Sequence, residues 1–162
     1  MPLQVSICGP RHCDDNDTAN AYRIGELLAE NGATVICGGG EGVMAAAAAG
    51  ARSHDGLVVG IRPNASKEGA SPDLTVTIVT NMGEARNAII VWSADAVIVV
   101  GGSWGTLSEL ALAKRRGETP VISIGGWKIL DKDGQPLRGI DYVDTPDDAV
   151  RLALTNQHKN QT

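Results

Sequence analysis

The sequence lacks the features that would direct a protein to a membrane or mark it for secretion. Its longest apolar stretches, such as Ala96–Val100, fall far short of the ~20 residues that a bilayer-spanning helix needs. Met1-Pro2-Leu3-Gln4-Val5 enters a strand pattern directly, without the apolar block of a signal peptide. The three cysteines, Cys8, Cys13 and Cys37, are an odd number with no two-residue spacing, so neither a disulfide framework nor a metal site is expected. A basic stripe is also missing: net charge is −5, and Arg11, Arg23, Arg52, Arg62 and Arg86 are scattered among acids, which argues against nucleic acid as a partner. A cytoplasmic location is the expectation, with no membrane contact.

Two nucleotide fingerprints are absent as well. No G-x-G-x-x-G occurs, and the second strand runs into Cys37-Gly38 where a dinucleotide fold would place an acid for the ribose, so NAD is not expected. Without a G-x-x-x-x-G-K-[ST], an ATP-hydrolysing P-loop is excluded too.

What is present is a soluble composition, 43% apolar and 20% charged over 162 residues, close to globular averages and long enough for one domain. Strand patterns at Gln4–Cys8, Thr34–Cys37, 57–61, 74–79, Ala96–Val100 and 120–124 alternate with helical patterns at 18–31, from the 38–42 glycines to about Arg52, at 83–93 and at 106–116. Alternation with uniformly apolar strands predicts an α/β fold, a Rossmann-like, doubly wound and mostly parallel sheet with helices on both faces. Asp131-Lys132-Asp133-Gly134 reads as a hairpin or surface turn. Thr145-Pro146-Asp147-Asp148 reads as the start of a last helix ending near Asn156. Residues 1–157 are expected to form a single domain and 158–162 a frayed tail.

In such a sheet ligands bind beyond the carboxyl ends of the strands, where two glycine loops fall, residues 38–42 and 101–105. Glycine removes the Cβ that would hold a ligand off the backbone, and first-turn amides backed by a helix dipole suit phosphate. Strand-to-helix turns also use glycine for geometry alone. Glu109 has two readings: the last residue of a Thr106-Leu107-Ser108-Glu109 capping box, or a carboxylate facing the ligand. Arg86 follows a strand end and is a candidate ligand-facing cation. Trp104 either stacks on a ring or packs its loop down, and the apolar helix at 88–94 is either core or subunit interface.

These residues together resemble the Lonely Guy (LOG) superfamily. Cys37-Gly38-Gly39-Gly40-Glu41-Gly42-Val43-Met44 resembles its GGG-x-x-G-x-M-type segment, and Gly101-Gly102-Ser103-Trp104-Gly105-Thr106-Leu107-Ser108-Glu109 resembles its PGG-x-GT-x-x-E signature. The similarity runs from about Val5 to Trp127. The superfamily includes cytokinin-nucleotide phosphoribohydrolases, molybdenum-cofactor carrier proteins and proteins once labelled possible lysine decarboxylases. Its phosphoribohydrolases usually carry Arg-Lys before the central helix and Pro before the double glycine, whereas this chain has Arg86-Asn87 and Val100, more similar to the carrier subgroup.

The resemblance implies a binding protein for a phosphorylated small ligand, molybdenum cofactor or nucleotide, with a nucleoside 5′-monophosphate phosphoribohydrolase as the alternative. Pyridoxal phosphate (PLP) chemistry is not expected, because only Lys128 has any prospect of nearing the loops as a Schiff-base lysine. The implied ligand-binding residues are Gly9, Gly38, Gly39, Gly40, Gly42, Met44, Arg86, Asn87, Gly101, Gly102, Ser103, Gly105, Thr106 and Glu109, with Glu109 and Arg86 catalytic in the hydrolase alternative. The apolar helix adds the expectation of a homodimer or larger homo-oligomer.

Overall fold

The structure, a computed structural model, describes residues 1–155. In chain order its elements are β1 (Gln4–Cys8), α1 (Asp15–Glu30), β2 (Thr34–Cys37), α2 (Val43–Arg52), β3 (Val58–Arg62) and β4 (Val76–Val79). A 3-10 turn (Gly83–Ala85) then leads into α3 (Arg86–Trp92), β5 (Ala96–Val100), α4 (Trp104–Arg116), β6 (Val121–Ile124), β7 (Asp141–Val143) and α5 (Pro146–Thr155). All seven strands lie parallel in one sheet, in the order β4-β3-β2-β1-β5-β6-β7.

Parallel strands need crossover connections, and here these put helices on both faces. Hence β1, β2, β5 and β6 are mostly apolar and almost wholly buried. One face packs Ile24 and Leu28 of α1, Ala47 and Ala51 of α2 and Val150 of α5 against Val5, Val35 and Ile98. The other packs Ile90 and Val91 of α3 and Leu110 and Ala113 of α4 against Ile36, Val97 and Val99. With no phenylalanine in the chain, both cores are aliphatic, and the alanine-rich α2 lets backbones approach closely. A Cβ added at Gly50 would lie 1.9 Å from the Tyr22 carbonyl oxygen, and one at Gly25 would lie 2.2 Å from that of Ala47.

The helix starts differ from the sequence expectation. α1 begins at Asp15 because Asp14 caps it, its Oδ1 accepting from the Asp17 amide at 2.8 Å. α4 begins at Trp104 instead of Thr106, for the same reason: Ser103 caps it. β7 was not anticipated, since three half-exposed residues show too little alternation to register. Residues 131–134 form the expected surface turn, with Asp131 Oδ1 accepting from the amides of Asp133 and Gln135 at 2.9 Å each. Thr145 caps α5, accepting from the Asp148 amide at 3.2 Å. The predicted end of this helix at Asn156 and the tail at 158–162 lie outside the described residues.

The α1–α2 contact generates a stability prediction. Gly50→Ala is expected to lower the unfolding free energy by about 1–3 kcal/mol, because the new methyl meets backbone that cannot rotate away. Urea denaturation measures it, and a change within about 0.5 kcal/mol would show that the helices separate freely.

Candidate functional site

The chain builds outward from β1 to β4, then returns to lay β5 on the other side of β1 before adding β6 and β7. The loops after β1 and β5 therefore leave in opposite directions, and a crevice opens between them at the carboxyl ends of the strands. Its volume is about 290 Å³, and it is lined by Gly9, Pro10, Arg11, Met44, Pro63, Gly83, Glu84, Arg86, Asn87, Ser103, Gly105, Thr106 and Glu109.

The start of α4 forms one wall. Ser103 Oγ accepts from the Thr106 amide at 3.2 Å, and the two hydroxyls lie 2.9 Å apart. The other first-turn amides are those that an α-helix leaves without internal acceptors, backed here by a dipole of 13 residues. At Gly105 a Cβ would find no atom nearer than 3.9 Å, so the backbone there is bare toward solvent.

Since Ser103 performs the cap, Glu109 does not close a capping box. It sits in the second turn of α4, only 8% exposed, and lines the crevice. Burial pushes its carboxyl up to about 7, against a smaller opposing pull from the Arg86 charge and a hydrogen bond with the Cys8 thiol. Burial also raises Cys8 well above the ordinary thiol value and Cys37 to about 11, so both are protonated at neutral pH. They belong to the cores on opposite faces of the sheet, which rules out a bond between them.

Arg86 opens α3 beneath the crevice. Its Nη1 donates to the carbonyl of Gly38 at 2.9 Å and to that of Ile61. Burial lowers its pKa, with the Glu109 carboxylate opposing. Beside it Arg62, only 3% exposed, donates to the carbonyls of Gly39 at 3.2 Å and Glu68 at 3.0 Å. The Nε atoms of both arginines are buried without a partner.

These guanidinium groups explain the first glycine loop. A Cβ at Gly38 would lie 2.5 Å from Arg86 Nη1 and 2.6 Å from Met44 Sδ, and one at Gly40 would lie 3.2 Å from Arg62 Nη1. Gly38, Gly39 and Gly40 make room for side chains and back the crevice from beneath. Gly42 takes φ +66 at the start of α2, against the Pro10 and Arg11 carbonyls. Gly101 turns the chain at φ +68 beside the Asp17 carboxylate, and Gly102 lies under Trp127.

Of the expected residues, the structure thus gathers Gly9, Met44, Arg86, Asn87, Ser103, Gly105, Thr106 and Glu109 around one crevice. The other six, Gly38, Gly39, Gly40, Gly42, Gly101 and Gly102, shape its support. Trp104 lies outside the lining and is 79% exposed, meeting Trp127 edge-on at 5.2 Å, and it is Trp127 that covers the loop at Gly102. Lys128 is exposed on the loop after β6, and no lysine is among the lining residues.

Sequence reasoning missed Pro10, Arg11, Pro63, Gly83 and Glu84. Pro10, Arg11 and Pro63 follow strand ends and were open to the carboxyl-end rule. Arg62 had no sequence signal, because its partners are backbone carbonyls.

Asn87 completes the site. Its side chain is 8% exposed and lines the crevice, yet among the described residues its amide has no hydrogen-bond partner. Among the described residues only the Nε atoms of Arg62 and Arg86 are buried without a partner, so the Asn87 amide reaches the open crevice, where it is free to meet a ligand.

Known proteins resemble this chain to different degrees. An uncharacterized protein of Archaeoglobus fulgidus is 41% identical over 157 residues, 97% of this chain and 98% of that one. A cytokinin riboside 5′-monophosphate phosphoribohydrolase of Mycobacterium tuberculosis is 34% identical over 151 residues, 86% of this chain and 80% of the enzyme. Among solved structures, the molybdenum cofactor binding protein of the phototrophic bacterium Rippkaea orientalis superposes with a TM-score of 0.87 at 33% identity, over 96% of this chain and 97% of that one. The SLOG cluster4 family matches residues 2–150, from the strand before the crevice through every residue that lines it, and this chain belongs to that family.

Proposed function

We propose that this protein binds a phosphorylated small ligand, a molybdenum cofactor or a nucleotide, and carries it without cleaving it. The observation that carries this reading is the Asn87 amide, without a partner among the described residues and open to the same crevice that Glu109 and Arg86 line. The phosphate rests on the amides at the start of α4, with the Ser103 and Thr106 hydroxyls alongside and Arg86 supplying charge from below. At about 290 Å³ the crevice matches the smaller class of ligand sites. The likeness to the Rippkaea orientalis molybdenum cofactor binding protein supports this choice of cargo.

Asn87 also bears on chemistry. A phosphoribohydrolase needs a charged carboxylate to stabilise positive charge developing at the sugar carbon. A lysine at position 87 would hold Glu109 ionised, whereas the neutral Asn87 leaves it with a pKa of about 7, half protonated at neutral pH. The hydrolase reading has its own observation: a buried carboxyl of that pKa beside a guanidinium is also a general acid or base in waiting, and the Mycobacterium tuberculosis relative is named for that reaction.

Release of free adenine from AMP separates the two. The carrier releases none beyond the uncatalysed background, and Glu109→Gln changes nothing. Turnover by the wild type that falls about 10²-fold or more in Glu109→Gln would establish the hydrolase instead.

The same variant has a pH signature. The folded state holds the Glu109 proton up to about pH 7, while an unfolded glutamate releases it near 4.5, so stability falls as pH rises through that window. The loss is on the order of 3 kcal/mol. Glu109→Gln is therefore expected to be more stable than wild type at about pH 8 and to lose that advantage near pH 4.5 in urea denaturation. An advantage independent of pH would show that Glu109 titrates normally.

A homodimer or larger assembly belongs to the same proposal. Val76, Ile78 and Val79 are exposed on the edge strand β4, and Trp92 is exposed at the end of α3. Light scattering at micromolar concentration is expected to give more than the monomer mass, and monomer alone would reject the assembly.

A further inference from the structure

The turn that opens α3 contributes two crevice side chains of different character. Glu84 lies in the 3-10 turn and Asn87 three residues on, so both fall on one face of a continuous helical segment, and both line the crevice. Among the described residues no ion pair or hydrogen bond engages the Glu84 side chain. The neighbouring Arg11 lies 3.8 Å from Glu41 instead. An unpaired carboxylate repels phosphate, so its place in a crevice built for anions calls for a ligand with a donor-rich part as well as a phosphate. Asn87, 8% exposed as a residue and without a partner among the described residues, supplies a carboxamide on the same face.

We infer that Glu84 and Asn87 form a ring-recognition subsite for a 2-amino-4-oxopyrimidine edge, the hydrogen-bonding face that guanine and pterins share. That edge presents a ring N–H and an exocyclic amine side by side, then a carbonyl oxygen. A carboxylate accepts from the two donors as a fork, and a carboxamide N–H donates to the carbonyl. Adenine presents a ring nitrogen lone pair where the carboxylate needs a donor, so the pairing fails and leaves the Asn87 amide unsatisfied. The subsite thus discriminates by hydrogen-bond pattern, while the phosphate end of the crevice treats both nucleotides alike. The inference rests on the proposed binding of a phosphorylated ligand.

Isothermal titration of the full chain with GMP, AMP and ribose 5-phosphate tests it, in wild type and in Glu84→Gln. Wild type is expected to bind GMP at least about tenfold more tightly than AMP, the lower end of what one forked pair confers between bases. Glu84→Gln is expected to bring the two within about threefold while leaving ribose 5-phosphate affinity unchanged. Equal binding of GMP and AMP by wild type, or a preference that survives Glu84→Gln, would overturn the inference but leave phosphate binding standing. Failure of all three probes to bind would overturn the underlying reading together with it.

Discussion

Arg86 is the tie on which the site depends. Its guanidinium holds the carbonyls of Gly38 and Ile61, at the ends of two neighbouring strands, and exerts its charge on Glu109 of α4 from the other side of the crevice. Arg62 repeats the device one residue along, on Gly39. With their carbonyls bound to buried cations, the ends of β2 and β3 are fixed relative to α3. The glycines of residues 38–40 exist to admit those cations. The cost is two desolvated guanidinium groups, each with a buried Nε lacking a partner.

Electrostatics then divides the crevice into zones. At the α4 end, backbone amides and two hydroxyls favour an anion, and the Arg86 charge adds to them from across the crevice. At the α3 end, Glu84 and Asn87 favour hydrogen-bond donors and a neutral acceptor. Glu109 lies between them, its charge dependent on pH because burial outweighs the pull of Arg86. This polarity suits a molecule that is phosphate at one end and heterocycle at the other, the chemistry common to nucleotides and the molybdenum cofactor.

Much of the fold was legible in the sequence because short β-branched runs alternate with longer helical patterns, the mark of strands covered on both faces by crossover helices. The helix starts were less so. Ser103-Trp104-Gly105-Thr106 and Thr106-Leu107-Ser108-Glu109 are both plausible caps, and only the turn made by Gly101 at φ +68 decides for the first. The site was legible as a location but not in its division of labour. A glycine that bares the backbone, as Gly105 does, looks the same in sequence as one that makes room for a side chain, as Gly38 does for an arginine 48 residues away. Glu84, on an exposed turn, carried no pattern at all.

The central claim is that a phosphate group is held at the start of α4 in this crevice. Amide ¹H–¹⁵N NMR spectra of the full chain, recorded as ribose 5-phosphate is added, test it most directly. The account predicts saturable shifts concentrated at Trp104, Gly105 and Thr106, with smaller ones at Arg86 and Asn87, and silence along α5. Shifts confined to other surfaces, or none at millimolar ligand, would contradict it.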